Sequence, residues 1–147
     1  MEKYLLCELN DENYTDASYT FHKTYEEAKI EAIVDCVEQF DGDCEVETDN
    51  EGFRISSSQG DNFFVTEIKQ IATTQGTHLL VWHHGYEGVD FEVRFQGTYE
   101  ECKLKMKEDM DNTIEGYEVS PEDVCHNVID TGNEWEVWDI VEIEEDD

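Results

Sequence analysis

The stretch Thr24-Tyr25-Glu26-Glu27-Ala28-Lys29-Ile30 returns as Thr98-Tyr99-Glu100-Glu101-Cys102-Lys103-Leu104, an offset of 74 in a chain of 147 residues. Each copy reads as the start of an amphipathic helix. Thr24 or Thr98 is the N-cap, and Glu27 or Glu101, three residues on, completes a capping box. Glu26 and Glu100 add negative charge to the first turn, where the helix dipole favours it. Two such starts, half a chain apart, constrain the fold to two halves built alike.

Other segments align in the same order. Leu5-Leu6-Cys7-Glu8 matches Leu79-Leu80-Val81-Trp82, and Phe21 falls on Phe95, at the same offset. Residues 60–71 match 132–143 at an offset of 72, sharing Val-x-acid-Ile-x-x-Ile, which implies a two-residue deletion in the second half. Tyr4 to Leu9 reads as a buried strand, and Ala17, Tyr19 and Phe21 alternate as one face of a half-buried strand. A helix from Tyr25 to Phe40 places Tyr25, Ala28, Ala32, Cys36 and Val37 inward, with Ile33 and Phe40 at the border. Its opposite side carries Glu27, Glu31, Asp35 and Glu38. Glu45 to Phe53 reads as a polar strand or loop, and Phe63 to Ile68 as a closing strand. The second half repeats this with Leu79–Trp82, Phe91–Phe95, a helix from Tyr99 with Cys102, Met106 and Met110 inward, and a strand ending at Ile143. Ser120-Pro121 starts a short helical turn between them.

The expected fold is therefore α+β. It is a tandem duplication of a β-β-α-β-β unit, residues 1–72 and 73–147, with antiparallel sheets each carrying one packed helix. A unit of ~60 residues buries only ~60% of its unfolded surface. The halves are accordingly expected to form one compact, pseudo-dimeric domain in a pseudo-twofold arrangement.

Charge is the second constraint. There are 39 acidic residues and 9 basic ones, a formal net charge of −30. Residues 1–72 hold 18 acids and 5 bases, and residues 73–147 hold 21 and 4, so the excess is spread over both halves. Self-repulsion on this scale destabilises a fold, which argues that the charge has a use. It argues against direct binding to nucleic acid or to an anionic membrane. With 38% hydrophobic and 12% aromatic residues the chain still has the means to pack a core. The five cysteines form no CxxC pair, and the apolar run after Met1 is too short for a signal sequence or a membrane span. Reduced thiols and a location in the cytoplasm of a bacterial host cell are expected.

Catalytic motifs are missing from the sequence: it contains no GxSxG, P-loop, GxGxxG or HExxH pattern. His83 and His84 are adjacent, point to opposite faces of a strand, and read as surface or turn residues beside Gly85. No enzyme activity, cofactor or metal is expected. Counted from Asp41, an EF-hand loop would need glycine sixth and glutamate twelfth, where the chain has Val46 and Gly52.

The acids nevertheless form rows. Asp41, Asp43, Glu45, Glu47, Asp49 and Glu51 occupy every second position, which in a strand puts six carboxylates on one face ~6.7 Å apart. Glu134, Glu136, Glu142 and Glu144 share a face of the last strand. Glu27, Glu31 and Asp35 recur at i, i+4 spacing on the first helix. Such rows can occupy the Lys and Arg side chains that otherwise grip phosphates. With its charge spread over both halves and its ladder at Asp41–Glu51, the chain resembles the small acidic phage proteins that act as DNA mimics. These include anti-restriction and anti-CRISPR inhibitors. The resemblance implies a non-enzymatic inhibitor that fills the basic groove of a bacterial defence nuclease such as a CRISPR effector. Alternatives are an immunity protein or antitoxin against a basic toxin, and a salt-adapted acidic protein of other function. Trp82, Trp135 and Trp138 are candidates for the core and, less strongly, for interface anchors.

Overall fold

A computed structural model describes residues 2–10, 17–40, 45–49, 52–59, 62–72, 76–85, 89–132 and 134–143. Side chains are described at these positions except 2, 10, 36, 37, 39, 40, 45–49, 52–59, 62–65 and 89. The chain divides into two compact units, Met1–Thr73 and Thr74–Asp147.

The first unit runs β1 (Glu2–Asn10), β2 (Ser18–His22), α1 (Tyr25–Phe40), β3 (Glu45–Asp49), β4 (Gly52–Gln59) and β5 (Asn62–Ala72). The second runs β6 (His78–Gly85), β7 (Val89–Gly97), α2 (Tyr99–Gly116), a 3-10 turn at Pro121–Asp123, β8 (Val124–Cys125), β9 (Val128–Asp130) and β10 (Trp135–Glu142). The protein is thus α+β, with two antiparallel five-stranded sheets and two helices. The sheet orders are β2-β1-β5-β4-β3 and β7-β6-β10-β9-β8. In both, the second strand lies beside the first, then come the fifth, fourth and third.

Each unit has one strand more than the β-β-α-β-β reading. Where the sequence suggests one polar strand or loop over Glu45–Phe53, the chain makes the antiparallel pair β3 and β4, with Asp49 opposite Gly52. The polar composition hid it, because neither strand carries a clear apolar alternation. In the second unit the corresponding pair is short, and Cys125 faces Val128 across a turn in which His126 takes φ 53°.

The central strands read as continuous apolar runs because both their faces are out of solvent. Leu5, Leu6 and Cys7 in β1, and Leu79, Leu80 and Val81 in β6, are fully buried in succession. On one face α1 packs Ala28 and Ala32 against Leu6 and Ile68, with Tyr4 and Tyr25 alongside. At the corresponding place α2 sets Cys102 and Met110, with Met106 and Ile114, against Leu80, Ile129 and Trp138. Both helices start as their sequences indicate. Glu27 N donates to Thr24 Oγ1 at 3.1 Å. At α2 the box is reciprocal: Glu101 N donates to Thr98 Oγ1 at 3.1 Å, and Thr98 N donates to Glu101 Oε1 at 3.0 Å.

Candidate functional site

The last turn of α2 shapes a groove in the second unit. Tyr117 N donates to Thr113 O at 3.0 Å and Val119 N to Ile114 O at 3.0 Å, while Glu118 reverses the chain at φ 52°. The 3-10 turn then brings Asp123 back toward β9 and β10. Between these elements lies a cavity of about 340 Å³ lined by Thr113, Tyr117, Glu118, Asp123, Glu134 and Glu136, among others. Four carboxylates meet there at the negative end of the α2 dipole, and no basic residue lines it among the described residues. Glu134 and Glu136 belong to the row read from the sequence. Glu118 and Asp123 do not, since only the chain reversal after α2 brings them in.

Glu136 joins this groove to an aromatic cluster. Trp82 Nε1 donates to Glu136 Oε1 at 3.2 Å. The Trp82 indole stacks on His84 with centroids 4.4 Å apart, and the Arg94 guanidinium carbon stands 4.1 Å from the Trp82 ring centroid. Burial pushes the Glu136 carboxyl above the usual carboxylate range. The Trp82 hydrogen bond and the charges of His84 and Arg94 oppose that rise, and Glu134 adds to it.

In the first unit the structure separates the expected helical row. Glu27 is exposed in the first turn of α1, but Glu31 and Asp35 turn toward β1 and β2. His22 Nε2 stands 2.5 Å from Glu31 Oε2 and 3.1 Å from Thr20 Oγ1. Burial, a hydrogen bond with Asp35 and the charges of Asp35 and Glu31 push the Glu8 carboxyl up to about 8. Across the sheet from Glu8 stands Thr66, fully buried, whose Oγ1 has no hydrogen-bond partner among the described residues. The other side of α1 is apolar. Ile30 is 60% exposed, Val34 46% and Ile33 36%. The outward surface of α1 therefore keeps Glu27 and Glu38 but carries Ile30, Ile33 and Val34 where Glu31 and Asp35 were expected. The signal was available, because Ile30, Ile33 and Val34 themselves follow i, i+3, i+4 spacing.

Glu45, Glu47 and Asp49 of the acidic ladder lie at alternate positions of β3, an edge strand, with Glu47 opposite Arg54 in the register. Asp41, Asp43 and Glu51 lie outside the described residues, as does Glu144. Glu142 is exposed at the end of β10, opposite His78. The row Glu134–Glu142 is thus divided between the groove and the far end of the strand.

His83 is not a surface residue. It is fully buried, with Nδ1 3.8 Å from Asp139 Oδ2, and rests against Phe91 and Trp135. Trp138 lies in the core, while Trp82 and Trp135 are half-buried. Among the described residues no group of three or more His, Cys, Asp or Glu is arranged to hold a metal ion. No helix of the described residues is long and apolar enough to cross a membrane. Comparison of the chain with protein-family models, with curated proteins and with solved structures found no match.

Proposed function

We propose that this protein is a non-enzymatic inhibitor that presents carboxylates in place of nucleic-acid phosphates. It occupies the basic groove of a nucleic-acid-processing enzyme, in the first place a bacterial defence nuclease such as a CRISPR effector. One observation carries the reading: an excess of 30 negative charges is distributed over both units of a folded α+β scaffold. Several of its few bases already lie beside acids of the same chain. Lys69 Nζ is 3.1 Å from Glu67, Arg94 Nε 3.4 Å from Glu92, and Lys105 Nζ 3.6 Å from Glu108. With 39 acids to 9 bases, acidic groups far outnumber the cations the chain can set beside them. Lys and Arg of a partner would supply the counter-charge through charge-assisted hydrogen bonds, with fast, salt-sensitive association.

The two units arose in this reading by duplication and fusion of one ββα-containing ancestor. The shared sheet order and the four sequence segments that align in order support it. The protein acts in the cytoplasm, where its target works.

The test is capture from bacterial lysate on the immobilised protein, followed by elution with salt and, separately, with added DNA or RNA. Recovery of a nucleic-acid enzyme displaced by nucleic acid is the expected result. Recovery of one small toxin that resists such competition would assign the protein to immunity instead. Capture of generic basic proteins alone would reject the mimic.

A further inference from the structure

The orientation of α1 is the reverse of what burial alone would select. Three β-branched apolar residues face solvent, while Glu31 and Asp35 crowd Glu8 against the sheet. At about 100° per residue, a rotation of roughly half a turn would bury Ile30, Ile33 and Val34 and return both carboxyls to water. The small Ala28 and Ala32 hold the observed face against Leu6 and Ile68.

We infer that the Ile30–Ile33–Val34 ridge of α1 is a docking surface for a basic partner, seating in an apolar cleft rimmed by Lys or Arg. This rests on the reading of the protein as a ligand of basic proteins, and adds a site and an apolar component to it. Charge decides the occupant. Exposed Glu26, Glu27 and Glu38 flank the ridge, and its unit, residues 1–72, carries 18 acids against 5 bases. A second copy meeting it through the same face would set these glutamates against themselves, in a chain of net charge −30. Leu104 provides the contrast. It stands at the position of α2 equivalent to Ile30 and is 71% exposed, but Lys107 and Glu108 occupy the positions equivalent to Ile33 and Val34, so it has no apolar ridge beside it. Three side chains fall short of the ~800 Å² that a stable interface buries on each partner. They can form the dry centre of a contact whose rim is the surrounding carboxylates.

The experiment compares binding of two probes by fluorescence anisotropy: an amphipathic helical peptide of leucine and lysine, and an oligolysine of equal charge. The protein should prefer the amphipathic peptide by about tenfold. Ile30→Ser with Val34→Ser should erase that preference and leave oligolysine binding unchanged, while Leu104→Ser should alter neither. Both substitutions are at exposed positions, and matching circular dichroism and unfolding temperature would verify the fold. Equal affinity of the unaltered protein for the two probes, or a preference that survives the double substitution, would overturn the inference. Concentration-dependent dimerisation in light scattering, abolished by the double substitution, would make the ridge a self-association surface instead. The lysate experiment separates the two ideas. A nuclease captured equally by both proteins leaves the mimic standing and removes the ridge from it; a peptide preference without such capture retains the ridge and rejects the mimic.

Discussion

The Glu8 carboxyl on β1 hydrogen-bonds that of Asp35 on α1, which ties strand to helix. Glu31, one turn earlier on α1, contributes further negative charge, and its own neighbour is His22 of β2. Because burial and these charges raise the folded-state value of Glu8 from 4.5 to about 8, the native state binds a proton that the unfolded chain releases earlier. The stability this contributes is fully present below about 4.5 and is lost as pH rises through about 8. Unfolding temperature measured against pH should decline over that window. Glu8→Gln should flatten the decline and exceed the unaltered protein on the alkaline side. Identical pH profiles would show that Glu8 ionises normally.

Thr66 stands across from Glu8 with its hydroxyl buried and, among the described residues, without a hydrogen-bond partner. Removing such a hydroxyl while keeping the side-chain shape relieves a desolvation cost of about 1 kcal/mol or more. Thr66→Val should therefore raise the unfolding free energy, as read from denaturant midpoints. A loss of stability would mean that the hydroxyl is hydrogen-bonded in solution.

At Gly85 a β-carbon would overlap the Trp135 indole, which lies directly across from it in β10. Gly85→Ala should displace the ring and cost about 1–3 kcal/mol, visible as a lower unfolding temperature and a shifted tryptophan emission. The half-buried Trp135 also contacts His83, so the perturbation would extend along the same face of the sheet to that buried imidazole.

Thr98 and Glu101 satisfy each other's backbone N–H groups at the start of α2. Thr98→Ala should remove about 1 kcal/mol of stability. Hydrogen exchange should quicken first in the opening turn of α2, because that is where the uncapped groups lie.

Reversing charge in the β3 region with Asp43→Lys, Glu45→Lys and Glu47→Lys should abolish capture of a basic nucleic-acid enzyme. β3 is an edge strand, where Glu47→Lys sets a lysine opposite Arg54. Circular dichroism would verify the fold, and full capture by a folded variant would move the partner contact away from this strand.

Local chemistry was written into the chain. Thr98 and Glu101 mark the start of α2 because capping depends on residues within one turn. The runs Leu5–Cys7 and Leu79–Val81 mark central strands because burial on both faces removes alternation. The α+β class follows from those runs together with the two helix starts. Tertiary structure decided the rest. Glu31 and Asp35 have the spacing of a solvated acidic row, yet the close seat made by Ala28 and Ala32 turns them toward Glu8 and turns Ile30, Ile33 and Val34 outward. Helical spacing defines faces relative to one another, while the direction of each face is set by what packs beneath the helix. Likewise, Glu118 and Asp123 join Glu134 and Glu136 in one groove only because the chain reverses at Glu118. Sequence fixes which groups carry charge, but which charges become neighbours depends on long-range packing that no local pattern encodes.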